Sequence, residues 1–159
     1  MRILADADLP LAAEAFAAFG EVTLAPGRTF TPALVRDCDA LLVRAVTRVD
    51  ARLLEGSRVR FVGTATSGLD HVDAGWLASH GIALATAHGA NATAVAEYVL
   101  SAIAALADEA GTATDGLTVG IVGLGAVGSR LAARLPGLGC RALACDPPRE
   151  RAGESGPFV

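Results

Sequence analysis

The sequence predicts an α/β protein of parallel strands in two modules, and two observations carry that prediction. Short apolar runs suited to strands alternate with helical segments from residue 2 to residue 85, the pattern of a parallel sheet with helices on both faces. A second strand–helix–strand unit then begins near Leu117, and a glycine pattern marks its first turn.

In order, residues 2–5 read as a strand ending at Asp6, and residues 9–19 as a helix stopped by Gly20. Residues 22–25 form a second strand, and Pro26-Gly27 turns the chain. Thr31-Pro32 is an N-cap followed by proline at the first helical position, opening a short helix to Arg36. Residues 40–43 read as a strand with Arg44 at its end. Asp50 caps a helix to Glu55, and residues 59–63 form the next strand. A loop of small and polar residues, 64–70, precedes a helix over 73–80 that Gly81 stops, and residues 82–85 complete the module. Residues 91–108 form a long Ala-rich helix striped by Val95, Val99, Ile103 and Leu106. Two placements fit it: a core helix of the first module, or an interdomain helix that also packs on a partner subunit. Residues 111–116 are a linker of small residues.

Residues 119–122 suit a strand buried on both faces. They lead into Gly123, Gly125 and Gly128, spaced G-x-G-x-x-G, and then into Leu131, Leu135 and Leu138 at helical spacing. A glycine pattern between a strand and a helix points to dinucleotide binding. Gly123 permits the tight turn, Gly125 lets backbone approach a pyrophosphate, and Gly128 lets helix and strand pack closely. The loop includes Ala126 and Val127, where a helix N-terminus offers N–H groups to phosphate. Residues 141–145 form the following strand. It ends at Asp146, 18 residues past Gly128, near the position of an acid that holds ribose hydroxyls. An acid there favours NAD over NADP, a preference that the nearby Arg149 and Arg151 weaken. The Pro-, Gly- and charge-rich tail 147–159 reads as a surface loop.

Composition narrows the partners. Of 159 residues, 52% are hydrophobic and the net charge is −4, enough for a substantial core. The 13 cationic residues are all arginine and scattered, so no basic stripe suggests nucleic acid. Cys38, Cys140 and Cys145 form no C-x-x-C pair and read as buried reduced thiols; no metal site is assigned. The N-terminus carries Asp6 and Asp8 where a signal peptide needs an apolar core. The run 92–107 is broken by Glu97 and too short for a bilayer. These features suggest a soluble, cytoplasmic protein with no membrane partner. His71, His80 and His88 are candidate bases, each with a plainer structural explanation.

Taken together, several segments resemble the D-isomer-specific 2-hydroxyacid dehydrogenases. They are V-G-T-A-T-x-G-x-D-H-V-D at 62–73, N-A-x-A-V-A-E-Y-V at 91–99, the glycine loop and C-D-P-P-R at 145–149, with further likeness in MRILADADLP, APGR and LLVRAVTRVD. The resemblance runs from Met1 to about Arg149. It implies a flavodoxin-like substrate domain over residues 1–90, an interdomain helix and linker over 91–116, and the first half of a Rossmann NAD-binding domain over 117–159. It also implies hydride transfer between a phosphorylated sugar acid and NAD, and a homodimer. Substrate contacts carry over to Ala45 and Thr66, the latter within a loop that includes Ser67 and Gly68. Two readings fit Arg44: a partner for substrate phosphate, or a solvated or structural arginine. Ala45 falls where the family usually has a serine, so one donor hydroxyl is missing. The family's catalytic Arg, Glu and His are expected beyond the end of this chain, so no catalytic residue is assigned within it. The chain is therefore expected to be a C-terminally truncated piece, inactive by itself. The alternatives are a dehydrogenase for another 2-hydroxy acid, and an NAD-sensing binding module.

Overall fold

Five short apolar strands organise the first unit, Met1–His88. They are β1 (Arg2–Asp6), β2 (Glu21–Ala25), β3 (Ala40–Val43), β4 (Phe61–Thr64) and β5 (Ala83–Thr86). All pair in parallel, in the order β2-β1-β3-β4-β5. The computed structural model describes residues 1–153.

The helices of this unit are short, and each begins where the local chemistry allows. Helix α1 (Ala12–Phe16, continued by a 3-10 turn over Ala17–Phe19) starts three residues later than the spacing suggests. Pro10 precedes Leu11, which takes a left-handed conformation at φ 60° and sets the entry angle. In α2 (Pro32–Val35), the Thr31 hydroxyl accepts from Leu34 N–H. In α3 (Ala51–Leu54), Asp50 accepts from Arg52 and Leu53 N–H, and in α4 (Ala74–Ser79) Asp73 accepts from Trp76 N–H. These bonds satisfy N–H groups that a helix start leaves without partners.

The sheet has apolar groups on both faces. Leu4, Leu41, Val43 and Val62 pack against Val35, Leu53, Leu54 and Leu77. Ile3, Ala5, Ala40 and Leu42 point the other way, with Ala12 and the partly buried Phe16. Strand β3 is buried at all four positions, as expected for a strand inside a parallel sheet.

The second unit begins at Gly89. It contains α5 (Ala92–Glu109), β6 (Thr118–Val122), α6 (Ala126–Arg134, continued by a 3-10 turn over Leu135–Leu138), β7 (Arg141–Cys145) and α7 (Pro147–Arg151). Strands β6 and β7 pair in parallel. Helix α5 packs inside this unit. Its buried Ala96 and partly buried Val99, Leu100 and Ile103 join Ile121, Leu124, Leu131, Leu135 and Ala144. The stripe expected from sequence is displaced: Leu106 is exposed, while Ala92, Ala96 and Ala107 are buried. Small side chains let α5 approach its neighbours closely, and that outweighs the larger side chain of Leu106.

The tail departs from its expected loop conformation. Residues 147–151 form α7, because Asp146 is an N-cap and Pro147 fits the first helical position. Asp146 accepts from Arg149 N–H at 3.3 Å, and Glu150 accepts from Asp146 N–H at 3.2 Å. Residues 154–159 of that expected loop lie outside the described residues. Among the described residues, no helix is long and apolar enough to cross a membrane.

Candidate functional site

The order β2-β1-β3-β4-β5 reverses direction between β1 and β3. Open α/β sheets bind ligands beyond the carboxyl ends of the strands at such a switch point. Asp6 ends β1, and Arg44 follows β3. Arg44 Nε donates to Asp6 Oδ2 at 2.8 Å and Nη2 to Oδ1 at 3.3 Å. Nη2 also donates to Asp8 Oδ2. The Asp6 side chain is fully buried and also accepts from Asp8 N–H at 3.1 Å and Gly27 N–H at 3.2 Å. Burial pushes its carboxyl pKa up, but the Arg44 guanidinium and the two N–H groups outweigh this and hold it below the usual carboxylate value. Thr47 Oγ1 donates to Gly27 carbonyl at 2.8 Å. The ends of β1 and β3 and the turn after β2 are thereby tied together. Nε and Nη2 of Arg44 thus bind protein carboxylates, partners that its position in the sequence does not reveal.

Strands β3 and β4 are neighbours, with Val43 opposite Thr64. Ala65 N–H donates to Val43 carbonyl at 3.0 Å. Arg44 and Ala45 therefore leave the sheet beside the loop that carries Thr66, Ser67 and Gly68. Ala45, Ser67 and Gly68 are exposed, and Thr66 is half-buried. Among the described residues, no protein acceptor takes the N–H groups of Thr66, Ser67 or Gly68. Such a run of N–H groups without a protein acceptor can receive an anion.

The Thr66 hydroxyl donates to Gly68 carbonyl at 3.1 Å and lies 2.8 Å from Thr64 Oγ1, which is 3.0 Å from His71 Nε2. A hydroxyl has one proton to give. Thr64 must then donate to Thr66 and accept from His71 Nε2–H, which assigns the tautomer of that ring. Burial, with help from the Arg48 charge and against that of Asp70, lowers the His71 pKa. His71 is therefore a buried brace of this loop. His80 stacks on Trp76 with ring centres 4.0 Å apart, and its Nδ1 lies 2.9 Å from Trp76 carbonyl oxygen. His88 is exposed.

A hollow of about 310 Å³ lies on the second face of the sheet, lined by Leu9, Phe16, Leu42, Phe61, Thr64 and Thr86 among others. No charged side chain lines it.

In the second unit, Gly123 has φ +90°, a conformation that favours glycine. A Cβ on Gly128 would stand 2.0 Å from Gly123 carbonyl oxygen, whereas one on Gly125 would meet nothing within 4 Å. Gly128 is needed for packing; the open space at Gly125 leaves the backbone approachable. Gly125 is the N-cap of α6 and supplies no side chain to its first N–H groups, at Ala126, Val127 and Gly128, which stay available to a phosphate. Asp146 Oδ2 accepts from Leu124 N–H at 2.6 Å, so the acid ending β7 is held against the glycine turn. Each carboxylate oxygen keeps a further lone pair for a ribose hydroxyl. These features fit a dinucleotide. Arg149 Nη1 donates to Leu124 carbonyl at 2.5 Å and to Ser129 Oγ at 3.1 Å. It reaches back across the turn, a role hidden from sequence reading because the tail read as loop. Among the described residues, no group of three or more His, Cys, Asp or Glu could hold a metal ion.

The chain matches a known family. A sequence model described as "D-isomer specific 2-hydroxyacid dehydrogenase, catalytic domain" matches residues 4–138. The chain belongs to the D-isomer-specific 2-hydroxyacid dehydrogenase family. Among curated proteins, it is 53% identical over 158 residues to erythronate-4-phosphate dehydrogenase of Cronobacter sakazakii, covering 99% of this chain and 42% of that protein. It is 56% identical over 152 residues to the protein of the same name from Chromohalobacter salexigens, covering 96% and 40%. The chain thus spans about two fifths of the length of these relatives. Solved structures share the fold. An NAD-bound 3-phosphoglycerate dehydrogenase of Entamoeba histolytica matches with TM-score 0.73 at 23% identity, over 100% of this chain and 57% of that one. D-lactate dehydrogenase of Aquifex aeolicus, complexed with NAD and lactic acid, matches with TM-score 0.71 at 16% identity, over 92% and 51%.

Proposed function

We propose that this chain is part of an enzyme that oxidises 4-phospho-D-erythronate at C2 to the 2-oxo acid, with NAD, in pyridoxal 5′-phosphate biosynthesis. The substrate assignment rests on more than 50% identity to relatives named for that substrate, extending over nearly the whole chain. The structural observation that carries the site is the emergence of Arg44-Ala45 and the Thr66–Gly68 loop from the adjacent ends of β3 and β4, next to the switch point between β1 and β3.

In this scheme residues 1–90 are the substrate domain, 91–116 a helix and linker, and 117–159 the first half of the cofactor domain. NAD, when bound, accepts the hydride. The N–H groups at Ala126, Val127 and Gly128 face its pyrophosphate, and Gly123 and Gly125 shape the turn. Asp146 holds the adenosine ribose, and its charge disfavours a 2′-phosphate, hence NAD over NADP. In the first unit, the N–H groups of Thr66, Ser67 and Gly68 receive an anionic group of the substrate, and the Arg44 guanidinium receives its phosphate. The Thr66 proton is spent on Gly68 carbonyl, so that hydroxyl accepts from a substrate hydroxyl unless the loop rearranges. Ala45 lines the site without a hydroxyl. No residue here takes the proton from the C2 hydroxyl; the family resemblance assigns that step to a His paired with a Glu, neither matched within these 159 residues. A homodimer and a cytoplasmic location accompany the proposal, supported by the resemblance alone.

The test is NADH formation by the protein at the full length of its relatives. 4-Phospho-D-erythronate should support turnover, with NAD preferred to NADP. Turnover of unphosphorylated 2-hydroxy acids in its place would overturn the substrate assignment.

A further inference from the structure

We infer that Asp8 is an internal competitor for the anionic group of the substrate at Arg44, and so sets how tightly phosphorylated ligands are held. This rests on the phosphate role given to Arg44 above.

The two carboxylates on Arg44 are not equivalent. Asp6 is fully buried and accepts from two backbone N–H groups as well as from Nε and Nη2. It is a permanent part of the fold, and it fixes the plane of the guanidinium. Asp8 touches only Nη2, and its side chain is 72% exposed. Among the described residues, no other donor reaches its carboxylate. An exposed ion pair of this kind is weakly held and readily exchanged. Among the described residues, Arg44 Nη1 has no hydrogen-bond partner. Arg44 therefore presents one vacant nitrogen and one nitrogen shared with a replaceable carboxylate.

Charge decides the consequence. Asp6 and Arg44 cancel, and Asp8 leaves the cluster with net charge −1. A phosphate dianion approaching the guanidinium meets that negative charge and must displace the Asp8 carboxylate to gain a two-pronged contact of the kind arginine forms with phosphate. Asp8 thus resists every anion at this position, and a ligand that also engages the neighbouring N–H groups of Thr66, Ser67 and Gly68 is favoured over phosphate alone. Asp8 lies four residues before the first residue of α1, at the mouth of the switch point, where such an exchange needs only a side-chain rotation.

The experiment is an NMR titration of the 159-residue chain with inorganic phosphate at constant ionic strength, following the Arg44 Nε–Hε signal. It is repeated with Asp8→Asn, which removes the charge and keeps an acceptor. Asp108→Asn, on α5 of the other unit, makes the same change in net charge elsewhere. The expected result is weak binding by the native chain, about tenfold tighter binding by Asp8→Asn, and no change for Asp108→Asn. Equal affinity for the native chain and Asp8→Asn, with Arg44 responding in both, overturns the role of Asp8 and leaves Arg44 as a phosphate group's partner. Equal tightening by Asp108→Asn also overturns it, as a general charge effect. No response of Arg44 in any variant overturns both this inference and the phosphate role on which it rests.

Discussion

Arg44 Nε lies 2.8 Å from Oδ2 of Asp6, 38 residues earlier in the chain, and that carboxylate is fully buried. The pair joins the end of β1 to the end of β3, and Gly27 N–H brings in the turn after β2. Replacing Asp6 with Ala should leave two N–H groups without their ionised acceptor and cost about 2–3 kcal/mol, read as a lower urea midpoint. Its depressed pKa gives the sign with pH. The stability it contributes is present above the unfolded carboxylate value of about 3.9 and is lost as pH falls through the lower folded value. Acid unfolding of the native chain should be steeper below about pH 4 than that of Asp6→Asn.

His71 gives a second pH signature. Its folded pKa is lowered, chiefly by burial. Protonation therefore favours the unfolded state. The stability from the neutral ring is present above the unfolded value of about 6.5 and is lost as pH falls through the folded one. A proton NMR titration should place the His71 midpoint below 6.5. A midpoint above it would contradict the assigned burial and hydrogen bond.

The second and third glycines of the phosphate turn should separate folding from binding. Gly128→Ala puts a methyl against Gly123 carbonyl oxygen and should cost about 2 kcal/mol or more through forced backbone movement, seen as a lower melting temperature. Gly125→Ala has open space and φ −67°, so the fold should survive while NAD affinity falls. Unchanged NAD affinity in a folded Gly125→Ala would remove the pyrophosphate from this turn.

Asp146→Ala should do both at once. It deletes the N-cap of α7, worth about 1 kcal/mol, and the bond to Leu124 N–H. It should also weaken NAD binding and narrow the preference over NADP, as measured by titration with both cofactors.

Local signals carried most of the fold. Caps at Thr31 and Asp50 and the apolar runs of β1, β3 and β7 are visible within a few residues of sequence. In sequence, the proline and charge content of the tail masks the Asp-Pro start signal at Asp146. The sites were legible in part. The glycine turn is a contiguous pattern with a local mechanism, so it could be read directly. The partners of Arg44 lie 36 and 38 residues away and depend on strand order, which no spacing reveals. The Thr64–Thr66–His71 chain likewise needs the strand and the loop folded back together.

The central claim is that the ends of β1, β3 and β4 hold the phosphorylated acid. It is tested most directly by titrating 4-phospho-D-erythronate into the isotopically labelled chain and mapping the shifted signals. Changes confined to Asp8, Arg44, Ala45 and the Thr66–Gly68 loop are predicted. Changes confined to the apolar hollow of Leu9, Phe16 and Phe61, or to no residue of the first unit, would contradict it.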